Sequence, residues 1–155
     1  MAAYFFDSSA IVKRYIKETG TVWTVNTFRP RSHNQIFVSE VTLVEVISAL
    51  ARRHRGLAAS SVGYSKRAAR RFQRAYDTKF FKTRVDLATV REAALLAEKY
   101  FLRGYDAVQL ATALRIEGER RLIGAASLIF VSADEDLNRA ARAEGLLVEN
   151  PDNHP

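Results

Sequence analysis

The chain has 155 residues, enough for one domain with a genuine core, and its 48% hydrophobic and 26% charged content is that of a globular protein. No apolar run approaches the roughly 18 residues of a membrane span, and the N-terminus lacks a signal-peptide pattern. Cysteine is absent, which excludes disulfides and thiolate metal sites and is compatible with the cytoplasm. The net charge of +7 is unevenly held. Between Leu50 and Arg84 lie eleven Lys or Arg residues and one acid, Asp77, a local +10 on a body of −3. Such a block suits a phosphate-rich partner, although a solvated helix face would look similar.

Tyr4-Phe5-Phe6 reads as a buried strand ending at Asp7. Ser8-Ser9 then opens a helical pattern (Ile11, Val12, Tyr15, Ile16), with Gly20 as its expected C-cap. A short helix is predicted from Thr21 to Phe28, stopped by Pro30, and Arg29 to Asn34 is loop-like. Ile36-Phe37-Val38 is a second strand. Ser39 has the character of an N-cap, opening a helix from Glu40 to about His54 that Gly56 ends. That helix is apolar in its first half except for Thr42, Glu45 and Ser48, which share one stripe.

Ala58 to Tyr76 is predicted as a helix carrying most of the basic block, with Val62, Ala69, Phe72 and Tyr76 facing inward. Phe80 to Val85 is strand-like. Leu87 to Phe101 is an amphipathic helix that Gly104 breaks, and Asp106 opens the next one. Leu128-Ile129-Phe130-Val131 is the clearest strand of the second half. Ser132 to Asp136 leads into a helix to Ala143, capped by Gly145, and Leu146 to Val148 is a last strand. Residues 1–150 read as a single domain and 151–155 as a polar tail. His33, His54 and His154 have no ligand-like spacing and read as surface residues. Strands separated by helices predict a three-layer α/β/α sandwich with a central, mostly parallel sheet.

Asp7, Glu45, Asp106 and Asp134, with Asp136 two residues on, form a candidate constellation. Each could serve a local role instead: Asp7 as a helix cap, Asp106 to Gln109 and Ser132 to Glu135 as capping boxes, Glu45 on a wet stripe. As a set they point elsewhere, because residues that follow parallel strands emerge on one sheet edge. Two like charges about 4 Å apart repel by about 4 kcal/mol at an effective dielectric near 20, so clustered carboxylates call for a cation. An all-oxygen donor set points to Mg²⁺ or Mn²⁺. Beside a basic block, that chemistry suits phosphodiester hydrolysis.

Four pieces carry a resemblance. They are Phe5-Phe-Asp7-Ser-Ser-Ala-Ile-Val, Ser39-Glu-Val-Thr-Leu-Val-Glu45, Leu102-Arg-Gly-Tyr-Asp106-Ala-Val-Gln-Leu-Ala-Thr-Ala113, and the run from Phe130 through Asp134 to Gly145. In order and spacing the chain resembles PIN-domain ribonucleases, particularly the toxins of the VapBC toxin–antitoxin type. The resemblance implies a Mg²⁺- or Mn²⁺-dependent endoribonuclease. It places Asp7, Glu45, Asp106 and Asp134 at the family's acidic positions, with Asp136 competing for the fourth, and Ser9 where a Ser or Asn stands near the metal. It also implies a homodimer and a separately encoded antitoxin. Arg52, Arg53, Arg67, Arg70, Arg71 and Arg74 are the candidate RNA contacts. A non-catalytic nucleic-acid-binding module on the same scaffold and a PIN-type DNA nuclease are the competing readings.

Overall fold

The computed structural model describes residues 1–53 and 59–154, apart from the side chains of 59–62. The expectations for His54, Gly56 and Val62 lie outside that set, as does Arg55 of the basic block. Five strands form one sheet: β1 (Ala3–Phe6), β2 (Gln35–Ser39), β3 (Phe81–Thr83), β4 (Leu128–Val131) and β5 (Leu147–Glu149). Their order is β3-β2-β1-β4-β5, and every pair is parallel, so the sheet is wholly rather than mostly parallel. A parallel sheet must be covered on both faces. One layer holds α1 (Ser8–Val12), α2 (Thr21–Thr27), α3 (Thr42–Arg52) and α4 (Ala59–Lys79). The other holds α5 (Leu87–Tyr100), α6 (Gly104–Leu122) and α7 (Glu135–Ala143).

The period of two along β1 divides the core. Ala3 and Phe5 join Leu110, Leu128 and Phe130 beneath α5 to α7, where the rings of Phe5 and Phe130 stack at 5.7 Å. Phe6, on the opposite face, packs with Ile11, Val38, Val46 and Phe72. Each fully buried Phe contributes about 1.5–3 kcal/mol, so this central strand anchors both layers.

Four local expectations are corrected. Gly20 does not end the first helix, which stops at Val12. It is the N-cap of α2, at φ 81°, and a Cβ there would overlap the Pro151 carbonyl. Ser39 ends β2 instead of capping α3; α3 begins at Thr42, with no side-chain cap at Val41. The carboxylate of Glu40 instead accepts the Val85 N–H at 2.9 Å, tying the start of this segment to β3. Gly104 is the first residue of α6, and α5 ends one turn earlier at Phe101, whose φ of 56° makes the left-handed cap. Asp106 is therefore inside the first turn of α6 and makes no capping box.

The segment after β5 is polar but docked. Pro151–Asn153 forms a 3-10 turn, Pro151 is buried, and Asp152 pairs with Lys13 at 2.6 Å. His154 is packed as well as near the surface: its ring stacks on Trp23 at 4.9 Å. Among the described residues, no helix is long and apolar enough to cross a membrane.

Candidate active site

β1 and β4 are neighbours at the sheet centre, yet the helices that follow them, α1 and α7, lie on opposite faces. That divergence opens a crevice at the carboxyl ends of the strands, the usual ligand position in open α/β sheets. Asp7 stands at its floor, 2% exposed, and its N–H donates to the Val131 carbonyl at 2.9 Å.

Two serines aim the Asp7 carboxylate. The Ser9 hydroxyl donates to Oδ2 at 2.6 Å while accepting the Ala133 N–H at 3.0 Å. The Ser132 hydroxyl donates to the same oxygen at 3.1 Å while accepting the Asp134 N–H at 3.0 Å. Each hydroxyl thus uses its one proton on Asp7 and a lone pair on the loop after β4. The Ser9 N–H adds a third donor to Oδ2, which is the helix cap foreseen for Asp7. Capping and aiming are therefore one arrangement. It leaves Oδ1 with a single marginal approach, from Ser8 Oγ at 3.5 Å. Burial still outweighs these donors and pushes the Asp7 pKa up.

Glu45 comes from the first turn of α3. The Gln109 amide of α6 donates to its Oε2, and Ser8 Oγ donates to Oε1 at 3.3 Å. Gln109 is itself fully buried and donates to Thr42 Oγ1 at 3.0 Å. Desolvation and the charges of Asp7 and Asp106, opposed by these hydrogen bonds, push the Glu45 pKa up to about 7. Asp106, half-buried, is pushed up to about 6, first by desolvation and then by Asp7 and Asp134, with Arg103 pulling the other way. It has no hydrogen-bond partner among the described residues. Asp134 caps α7, accepting the Leu137 N–H at 3.0 Å, and its charge still reaches Asp106. The capping box expected from Ser132 is absent, because that hydroxyl is turned to Asp7.

The four acids thus share one field at one edge of the sheet. Asp136 does not join them: it is exposed and pairs with Arg139 on α7. Among the described residues, no three acidic groups stand close enough to make a preassembled metal cage. The donor set nonetheless fits Mg²⁺ or Mn²⁺. All the candidate donors are oxygens, three of the carboxylates (Asp7, Glu45 and Asp106) are held at raised pKa, and Mg²⁺ commonly keeps several waters and binds through one or two carboxylates.

Beside the acids is a cleft of about 320 Å³, lined by Ser8, Ser9, Glu45, Ser48, Arg52 and Tyr105 among others. Of the six candidate RNA contacts, Arg52 alone lines it. Arg53 pairs with Glu18 at 2.6 Å. Arg67, Arg70, Arg71 and Arg74 are exposed along α4, whose Phe72 and Tyr76 face the core. Sequence reasoning missed Ser8, Gln109, Ser132, Arg103 and Tyr105. Gln109 carried a usable signal, being a polar residue inside the apolar stripe of α6.

A crevice with carboxylates at its rim lies at the switch point of a five-stranded parallel sheet. The PIN domain model matches residues 4–143, and the chain belongs to that family. PIN domains are generally nucleases, which supports a hydrolase of phosphodiester bonds. No curated protein matches the chain. The crystal structure of PAE2754 from Pyrobaculum aerophilum is similar at a TM-score of 0.62 and 16% identity, over 95% of this chain and 83% of that one. VapBC2 from Rickettsia felis, solved bound to a DNA fragment from their promoter, is similar at 0.58 and 11%, over 96% and 98%. At these identities the likeness is one of fold.

Proposed function

We propose that this PIN-domain protein is a Mg²⁺- or Mn²⁺-dependent endoribonuclease, the toxin of a toxin–antitoxin pair, acting in the cytoplasm as a homodimer. The observation that carries the nuclease reading is the pair Glu45 and Asp106, held at about 7 and about 6 by burial and by like charges. Carboxylates gathered at one sheet edge and raised in this way by burial and by one another support a site that takes a divalent ion.

Asp7 and Asp106 would hold the principal ion, with Glu45 and Asp134 as outer ligands. When bound, the ion would lower the pKa of a coordinated water and offset charge on the phosphate. Ser9 and Ser132 hold Asp7 through Oδ2, leaving Oδ1 the oxygen with fewer partners. Gln109 and Ser8 hold Glu45 at the cleft, where Oε1 can take a proton from the attacking water near neutral pH. Arg52 lines the approach, and the exposed arginines of α4 draw the polyanion by counterion release.

The test compares cleavage of structured RNAs in Mg²⁺, in chelator, and by Asp7→Asn. Cleavage should require the ion and disappear in the variant. Undiminished cleavage by a folded Asp7→Asn protein would remove the assignment. An antitoxin partner is motivated by the VapBC2 neighbour. A small protein encoded beside this chain should co-purify with it and block cleavage.

A further inference from the structure

A second basic feature lies away from the carboxylates. Near the start of β2, toward the opposite edge of the sheet from Asp7, a cavity of about 270 Å³ is lined by Arg14, Arg29 and Lys79 around Phe28, Asn34 and Phe80. No acid lines it, and none of its three cations forms an ion pair among the described residues. Arg29 and Lys79 are exposed, whereas Arg14 is half-buried.

The Arg14 guanidinium sits 4.6 Å above the Phe28 ring and 5.8 Å from the Tyr15 ring. Its Nη1 is buried without a hydrogen-bond partner. Asn34 bonds the Ala2 N–H and the Thr27 carbonyl, which fixes the loop carrying Arg29 and Pro30. The pocket wall is therefore held in place while its cations lack partners.

A desolvated guanidinium with no acceptor is a costly thing to keep. Two aromatic faces relieve part of that cost, and a planar fork of donors is matched to phosphate oxygens. The basic face of α4 reaches the same place: Arg71 is near enough to act on Arg14, and Lys79 ends the helix. From these observations we infer that the Arg14–Arg29–Lys79 pocket binds a phosphate group, distinct from the scissile one. It is supplied either by the backbone of a single-stranded nucleic acid running along α4 or by a small phosphorylated molecule. This inference is independent of the nuclease reading, since binding here needs neither the metal nor the carboxylates.

Arg29→Ser/Lys79→Ser removes the two exposed cations and leaves Arg14 packed. The thermal midpoint of each protein is measured in inorganic phosphate and in chloride of equal ionic strength, with chelator present. The wild-type midpoint should rise by a few degrees at about ten times the phosphate Kd, and the double variant should not respond. In an Asp7→Asn background, which prevents cleavage, the variant's affinity for a single-stranded RNA is then measured against salt. A slope reduced by about 0.7 or more assigns the pocket to the polynucleotide backbone. An unchanged slope with the phosphate response lost assigns it to a small phosphorylated ligand. No wild-type response to phosphate, or an equal response in the variant, overturns the inference.

Discussion

Replacing Asp106 by Asn keeps the shape of the side chain and removes one charge from a carboxylate cluster that, without a metal, repels itself. Moving a carboxyl pKa from 3.8 to about 6 corresponds in full to ~3 kcal/mol. The side chain is half-exposed, and solvent screening reduces this to ~1 kcal/mol. The sign follows from proton linkage. Folded Asp106 holds its proton more tightly than the unfolded chain does, so its contribution is most favourable below about pH 4 and declines as pH rises through about 6. In chelator at pH 8, Asp106→Asn should therefore melt higher than wild type, by about 2–4 °C for a domain of this size. The gain should vanish near pH 4. Adding Mg²⁺ should raise the wild-type midpoint and leave the variant's nearly unmoved. A variant that melts at or below wild type at pH 8, or a gain independent of pH, would refute the claim that these acids strain one another.

Ser132→Ala removes the donor that aims Asp7 and the acceptor of the Asp134 N–H. Metal affinity or turnover should fall about 10–100-fold, read by kinetics across Mg²⁺ concentrations. Gln109→Ala removes a hydrogen bond that lowers the Glu45 pKa, so the acidic limb of the rate–pH profile should move to higher pH; a shift to lower pH would contradict the role. Gly20→Ala must place a side chain at φ 81° against Pro151, and should cost at least about 1 kcal/mol in denaturant unfolding. Charge reversal at Arg70 and Arg71 should flatten the salt dependence of RNA binding, and an unchanged slope would exclude the α4 face from contact.

The strands were the most legible part of the chain. Leu128–Val131 is a four-residue apolar run between turn signals and was read to the residue. Asp7 was legible because a carboxylate directly after a buried strand has one place to go in a parallel sheet. Helix starts were harder. Gly104 looks like a breaker, but the break is made by Phe101 in a left-handed conformation that its side chain does not advertise. Ser39 and Ser132 have the chemistry of caps, and tertiary partners decide otherwise: Ser39 extends β2, and Ser132 turns to Asp7 across 125 residues. Asp134 stands at the cap of α7 and Asp136 on its exposed face, a difference of helix phase that the run of acids does not display. The docking of Pro151 and Asp152 depends on Gly20 and Lys13, which no local pattern near the C-terminus could reveal.

The central place of β1 has a consequence for biosynthesis. β1 needs β4, made more than a hundred residues later, to complete its ladder. Until then Asp7 lacks Ser132, and Asp106 lacks the neighbouring charge of Asp134. A nascent chain therefore carries Asp7, Glu45 and Asp106 before the crevice around them is complete. The crevice is assembled only after β4 and the loop that follows it have been made.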